Sequence, residues 1–276
     1  MNTNHSPEQL LSLYLDGQID DAGLAEFEEA LRQDPDNFEL ELRLGMAALK
    51  VGKLDRAAGI ARDIQAKYPE DVNGFKLEGF VHVRNKEIGM ARAKFEKVLA
   101  MAPGDFESAF NLVQLERVAH RYDRAIEIAA TYLEWNPDDL AMLLRMAELQ
   151  VAIGQPDNAV PWLERAMKAY PEQPAPRVIR AERYMKAKEY SKALETTVPA
   201  ITSNPNNLKL LELTAHAQLA MGLNSEALKT LQRLIRYEPE VFETRYYAGV
   251  TAVAESNSDL AKEHLEKAIQ LRPGHP

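Results

Sequence analysis

The sequence predicts an all-α fold, a solenoid of stacked helix hairpins, and three observations lead to it. Proline returns every thirty-four residues, at Pro35, Pro69, Pro103, Pro137, Pro171, Pro205, Pro239 and Pro273. With proline at ~5% of ordinary composition, seven such returns have odds on the order of 10⁻⁹. A fixed period of this length marks repeats that bury their apolar faces by stacking on their neighbours. Small residues recur in the same phase. With each proline set at position 32, the repeats begin at Asn4, Phe38, Val72, Phe106, Leu140, Pro174, Leu208 and Phe242, and position 20 reads Gly23, Ala57, Ala91, Ala125, Ala159, Ala193, Ala227 and Ala261. Position 8 is Gly45, Gly79, Ala147, Ala181, Ala215 or Gly249, with Leu11 and Val113 in the other two repeats. Apolar residues also recur at three- and four-residue steps through two segments of each repeat, about positions 2 to 14 and 18 to 31. Each repeat therefore reads as two helices.

Taken in order, the stretch LLSLYLDGQIDDAGLAEFEEALRQDP of the first repeat has a more acidic, less apolar first helix than the others, as expected of an N-terminal cap. The fourth repeat shows the pattern plainly, with Phe106, Phe110, Leu112, Val113 and Leu115 in its first helix and Ile126, Ile128, Ala129 and Leu133 in its second. Gly52, Gly154 and Gly222 stand between helices in three repeats, where a left-handed helix end is expected. Position 18 carries Asp21, Asp55, Gly89, Asp123, Asp157, Ser191, Ser225 and Asp259, residue types that favour a helix start. At repeat borders the proline stops the second helix, and pairs such as Asp36-Asn37, Asp138-Asp139 and Asn206-Asn207 turn the chain into the next.

The small residues at positions 8 and 20 mark where the two helices of a hairpin cross closely. Pro161 falls near the start of a helix, where a missing N–H costs little. Pro199 falls deep in one, where a kink and a cost of ~3 kcal/mol are expected. Pro174 and Pro176 open a helix. No linker or low-complexity stretch interrupts the array, so residues 1–276 read as a single repeat domain. Leu260, Leu265, Ala268 and Ile269 on the last helix have no later helix to cover them, so the expectation is a longer parent chain or self-association.

Composition removes several functions. The net charge is −9 with acidic and basic residues mixed, so no basic stripe exists to follow a phosphate backbone, and nucleic acid is not an expected partner. Cysteine is absent, which removes disulfides, thiolate metal sites and cysteine nucleophiles. The start MNTNHSPEQLL lacks a secretory signal, and no apolar run nears the ~20 residues that span a bilayer. A cytoplasmic location without membrane insertion is expected, or the periplasm or envelope if an upstream signal has been cut away. The six histidines are not paired at metal spacing, and no H-E-x-x-H, P-loop, G-x-G-x-x-G or G-x-S-x-G occurs. Glu26, Glu28 and Glu29 read as a solvated helix face. No catalytic, metal or cofactor set is expected.

A small residue at 8, alanine at 20 and proline at 32 resemble the tetratricopeptide repeat (TPR) family. The third repeat is a good example, through Phe75, Gly79, Ala91, Phe95, Val98 and Pro103, and the likeness covers residues 4–275. Departures are Pro7 and Gly23 in the first repeat and Arg177 and Thr197 in the sixth. The resemblance implies a right-handed α–α superhelix of eight hairpins, a non-enzymatic protein-interaction scaffold, and a concave face lined by first helices through positions 2, 5, 9, 12 and 13. On that basis a partner groove is expected along Met46, Lys76, Phe80, Arg84, Phe110, Asn111, Arg117, Leu144, Arg145, Glu148, Glu182 and Met185. Apolar anchors among charges suit an extended peptide or an amphipathic helix of a protein partner. The family's carboxylate clamp is matched by Lys76, Asn111 and Arg145, and departed from at Phe80 and Ala141. Two other readings stand beside the scaffold: the TPR arm of a larger bacterial enzyme or envelope and exopolysaccharide assembly machine, and a homo-oligomer through the C-terminal repeat.

Overall fold

The computed structural model describes residues 20–274. Among them are fifteen α-helices, one 3-10 helix and no strand. In chain order they are α1 (Asp21–Gln33), α2 (Phe38–Lys50), α3 (Leu54–Lys67), α4 (Asn73–Arg84), α5 (Ile88–Met101), α6 (Phe106–Val118), α7 (Tyr122–Trp135) and α8 (Leu140–Ala152). After the 3-10 helix Pro156–Ala159 come α9 (Val160–Ala169), α10 (Ala175–Lys186), α11 (Tyr190–Ser203), α12 (Leu208–Ala220), α13 (Asn224–Tyr237), α14 (Phe242–Ala254) and α15 (Ser258–Leu271). Even-numbered helices are the first of a repeat and odd-numbered ones the second. The first helix expected for repeat one, with Pro7 and Leu11, lies outside the described residues. The chain forms two compact units, Met1–Pro137 and Asp138–Pro276, divided directly after the proline of repeat four.

Local chemistry explains the helix ends. Each second helix stops at position 30, two residues before the proline that cannot continue it. Asn37, Asp105, Asp139 and Asn207 then cap the next first helix, accepting from Leu40, Ser108, Met142 and Leu210 N–H at 2.8–3.0 Å. First helices end in a Schellman turn, in which Lys53 N–H reaches Ala48 C=O at 2.8 Å and Gly52 N–H reaches Leu49 C=O at 3.2 Å. The left-handed residue of that turn recurs in every fully described repeat. Glycine fills it at Gly52, Gly154 and Gly222, whereas Lys86, His120, Lys188 and Ser256 take φ of 57–62° there.

One sequence expectation is corrected. Apart from α1 and α9, the second helices begin one residue earlier than position 18, so Asp55, Asp123 and Asp259 lie inside the first turn instead of capping it. There their carboxylates still favour the positive helix end. α11 runs through Pro199 to Ser203 without interruption. The proline is exposed, so the Glu195 carbonyl that loses its partner faces water. Pro161, near the start of α9, accompanies a larger change, because the first turn of that helix is the separate 3-10 helix.

The core is built at the predicted crossings. Ala57, Ala91, Ala125, Ala159, Ala193 and Ala227 are fully buried. A Cβ on Gly79 would sit 2.8 Å from the Phe95 ring, and one on Gly249 would sit 2.6 Å from Leu265 Cγ. In the sixth repeat Arg177 fills its apolar place by donating to the Pro171 carbonyl at 2.7 Å, as Arg245 does to Pro239 at 3.0 Å. Thr197 is buried with its hydroxyl unpartnered. On α15, Ala268 is buried, Leu260 and Leu265 are half-buried, and Ile269 is 63% exposed.

Candidate functional site

In the N-terminal unit the expected groove residues are largely engaged with their own chain. Lys76 bonds Asp105 and Glu107, each at 2.9 Å. Burial works against its charge, but these pairs outweigh it and hold the ammonium pKa above its ordinary value. Burial likewise opposes Asp105, yet Lys76 and the Ser108 N–H together keep its carboxyl below the usual range. Lys76 thus staples repeat three to the cap of α6, and the clamp-like cation already holds two carboxylates. Phe80 meets Phe95 edge-on at 5.4 Å, and Phe110 meets Phe106 at 5.3 Å. Asn111 donates to the Glu107 carbonyl at 2.7 Å, and Arg117 donates to Gln114 at 3.1 Å. Met46 is half-buried and Arg84 exposed.

Sequence reasoning missed the buried charges of this unit. Glu41, 5% exposed, accepts from Lys67 at 3.0 Å, and Glu116, 1% exposed, pairs with Arg92 and with Arg121 at 2.9 Å. Glu78 accepts from Gln65 at 2.9 Å and pairs with Lys94. One signal was available, because Glu41 stands at position 4, where Phe75, Leu143 and Leu211 stand in other repeats. Glu28, read as solvated, pairs with Arg56 of the following second helix.

In the C-terminal unit Leu144 packs with Ala147, Ala159 and Leu163, and Met185 packs with Tyr184, Ala193 and Ala217. Both remain half-buried. Arg145 pairs with Glu148 at 2.6 Å, and Glu182 lies 3.6 Å from Lys209. A cavity of about 370 Å³ lies between second helices α5 and α7 of the N-terminal unit, and Arg124 is tied there to Glu127 at 2.8 Å and to Glu96 at 3.4 Å. A cavity of about 740 Å³ opens between first helices α8 and α10 of the C-terminal unit, bringing Glu148 and Glu182 together with Val151, Ile179, Arg183 and Lys186. Among the described residues no group of three or more His, Asp or Glu could hold a metal ion. No helix among them is long and apolar enough to cross a membrane.

Tetratricopeptide repeat families match residues 13–78 and 119–182 in one form, and 81–139 and 213–276 in another. The chain belongs to the tetratricopeptide repeat family. Residues 152–234 of this TPR chain also match the family of anaphase-promoting complex, cyclosome, subunit 3. The TPR repeat-containing protein YpiA of Bacillus subtilis is 24% identical over 253 residues, 87% of this chain and 57% of YpiA. The chain therefore spans a little over half of that relative. Among solved structures, MamA 41-end from Desulfovibrio magneticus RS-1 is 18% identical with a TM-score of 0.51, over 60% of this chain and 93% of that one. A chain of the Naa15/Naa10 complex bound to HypK-THB is 16% identical with a TM-score of 0.54, over 97% of this TPR chain and 41% of its own length. At such identities the likeness concerns the fold.

Proposed function

We propose that this TPR chain is a non-enzymatic scaffold that captures a segment of a partner protein on its first helices. The observation that carries this reading is the cavity of about 740 Å³ between α8 and α10. Its floor is apolar at Val151 and Ile179, and Glu148, Glu182 and Lys186 flank it from the helix positions that the repeat phase assigns to the groove. An apolar floor with a charged rim suits an amphipathic or extended segment. The Naa15/Naa10 complex bound to HypK-THB supports the reading as a TPR-like fold found in a multi-protein assembly.

The test is site-specific photo-cross-linking in the native host. A cross-linker replacing Glu182 is expected to trap a discrete protein through one contiguous segment, whereas one replacing the exposed Lys229 on second helix α13 traps none. Adducts from Lys229 alone would move the site to the second-helix face. Val151→Glu is expected to abolish the Glu182 adduct without lowering helicity.

A further inference from the structure

In the C-terminal unit, first helix α14 differs from the other first helices at the groove positions 5, 9 and 12. Helices α8, α10 and α12 each place a carboxylate there, Glu148, Glu182 and Glu212 respectively. Helix α14 places Tyr246, Val250 and Val253, exposed by 36%, 45% and 59%. The i, i+4, i+7 spacing puts all three on one stripe, and Tyr247, 39% exposed, widens it. The Tyr247 ring lies edge-on to Tyr246 at 5.6 Å and to His216 of α12 at 5.8 Å. An aromatic floor held in this way loses little side-chain freedom on contact, and a contiguous exposed apolar patch of this kind marks an interaction surface.

Charge selects the occupant. Residues 238–259 hold five carboxylates and one cation, Arg245. That cation is turned away from the stripe, with Nη1 3.0 Å from His264 Nδ1 and Nε donating to the Pro239 carbonyl. Beyond Val253, the side chains of Glu255 and Asp259 are exposed and have no partner among the described residues. We infer that the α14 stripe docks an amphipathic helix of a partner protein, apolar on one face and carrying lysine or arginine where it meets Glu255 and Asp259. A second copy of this chain fits the site less well, because it would bring the same acidic turn and a net charge of −9. The inference rests on the proposal that first helices carry the partner and adds the partner's chemistry.

The experiment titrates the full chain into three labelled peptides of about five helical turns, read by fluorescence anisotropy. One is a Leu/Lys amphipathic helix, one a Leu/Glu helix with the same apolar stripe, and one a scrambled Leu/Lys peptide of equal charge without a stripe. The Leu/Lys helix is expected to bind at least tenfold more tightly than either control. Val250→Ser with Val253→Ser is expected to weaken it about tenfold, the equivalent of about 1.4 kcal/mol. Glu255→Gln with Asp259→Asn is expected to weaken it several-fold and to flatten its salt dependence. All four side chains are exposed, and an unchanged melting midpoint verifies folding. Val253→Lys, at the most exposed position, is a single-site variant expected to repel the same peptide. Equal binding of the Leu/Glu or scrambled peptide, or wild-type affinity in either double variant, overturns the inference. Concentration-dependent dimerisation that the serine variant abolishes also overturns it, by assigning the stripe to a second copy. If the peptide fails while the Glu182 cross-link persists, the partner chemistry is wrong and the scaffold reading stands; loss of both removes the scaffold reading as well.

Discussion

The two compact units meet the same repeat geometry with different interior chemistry. The N-terminal unit closes its repeats with buried ion pairs: Glu41 with Lys67, Glu116 with Arg92 and Arg121, and Lys76 with Asp105. In the C-terminal unit the places equivalent to Glu116 hold Gln150, Tyr184, Gln218 and Ala252. Several polar groups there close through neutral partners or backbone carbonyls, although Arg183 still pairs with Asp157 and Arg145 with Glu148. Thr230 Oγ1 donates to Gln218 at 2.8 Å, Thr214 Oγ1 to the Leu210 carbonyl at 2.7 Å, and Arg177 and Arg245 to proline carbonyls. The small residue at position 20 is shared because close helix approach leaves little room there, whereas position 8 also takes the buried Val113. Pairing chemistry varies because a buried polar group requires a partner and not a particular one.

The contrast can be broken most strongly at Glu116. Arg92→Met with Arg121→Met removes both of its partners and is expected to cost about 3 kcal/mol. The loss should show in hydrogen exchange measured by mass spectrometry as lowered protection across α5–α7, with the C-terminal unit unchanged. Glu116→Gln added to that background should restore part of it, since the uncompensated charge is then gone.

Overpacking the crossing should cost the same in both units. Ala125→Leu and Ala227→Leu are each expected to lose ~1–3 kcal/mol, because both alanines are fully buried. A clearly unequal pair of urea midpoints would show that the crossing is not a shared constraint.

Acid should separate the units. Burial, with Arg245 alongside, outweighs Glu263 and holds the His264 pKa below its ordinary value. Its neutral form therefore stabilises the C-terminal unit above about pH 6.5, and that contribution is lost as pH falls through the folded value. In the N-terminal unit Asp105 and Glu78 are held below the usual carboxylate range, because their bonds to Lys76 and Ser108, and to Lys94 and Gln65, outweigh burial. Their contribution persists down to about pH 4 and is lost below it. Region-resolved hydrogen exchange should thus show the C-terminal unit weakening first, and His264→Leu should remove its slope below about pH 6.5.

The smallest effect concerns the left-handed turns. Lys188→Gly is expected to stabilise by about 0.5–1 kcal/mol, since φ of 58° costs a lysine more than a glycine, and Gly154→Lys should do the reverse. Thermal midpoints of the two variants, moving in opposite directions, check this.

The turns also show how much was legible. Gly52, Gly154 and Gly222 announced three of them, while Lys86, His120, Lys188 and Ser256 occupy the same conformation with no local signal. That Pro199 lies on the exposed side of its helix cannot be seen in a linear pattern. The proposed groove could be written from the sequence as a set of positions and not as a set of available groups. Lys76 and Leu144 stand at expected groove positions, yet one is held in an ion pair and the other, half-buried, packs against a core cluster.

From the sequence alone came the period, the two helices of each repeat, the crossing residues and the absence of a recognisable catalytic motif. These follow from steric and propensity rules that act within a few residues and repeat without change. Tertiary structure alone decided which charges serve as staples and which apolar groups remain open. Lys76 meets Asp105 at a separation of 29 residues and Lys67 meets Glu41 at 26, so their pairing depends on how one hairpin stacks on the next. The exposed stripe of α14 has the same origin: its spacing was readable, but only the stacked helices show that Val250 and Val253 remain uncovered.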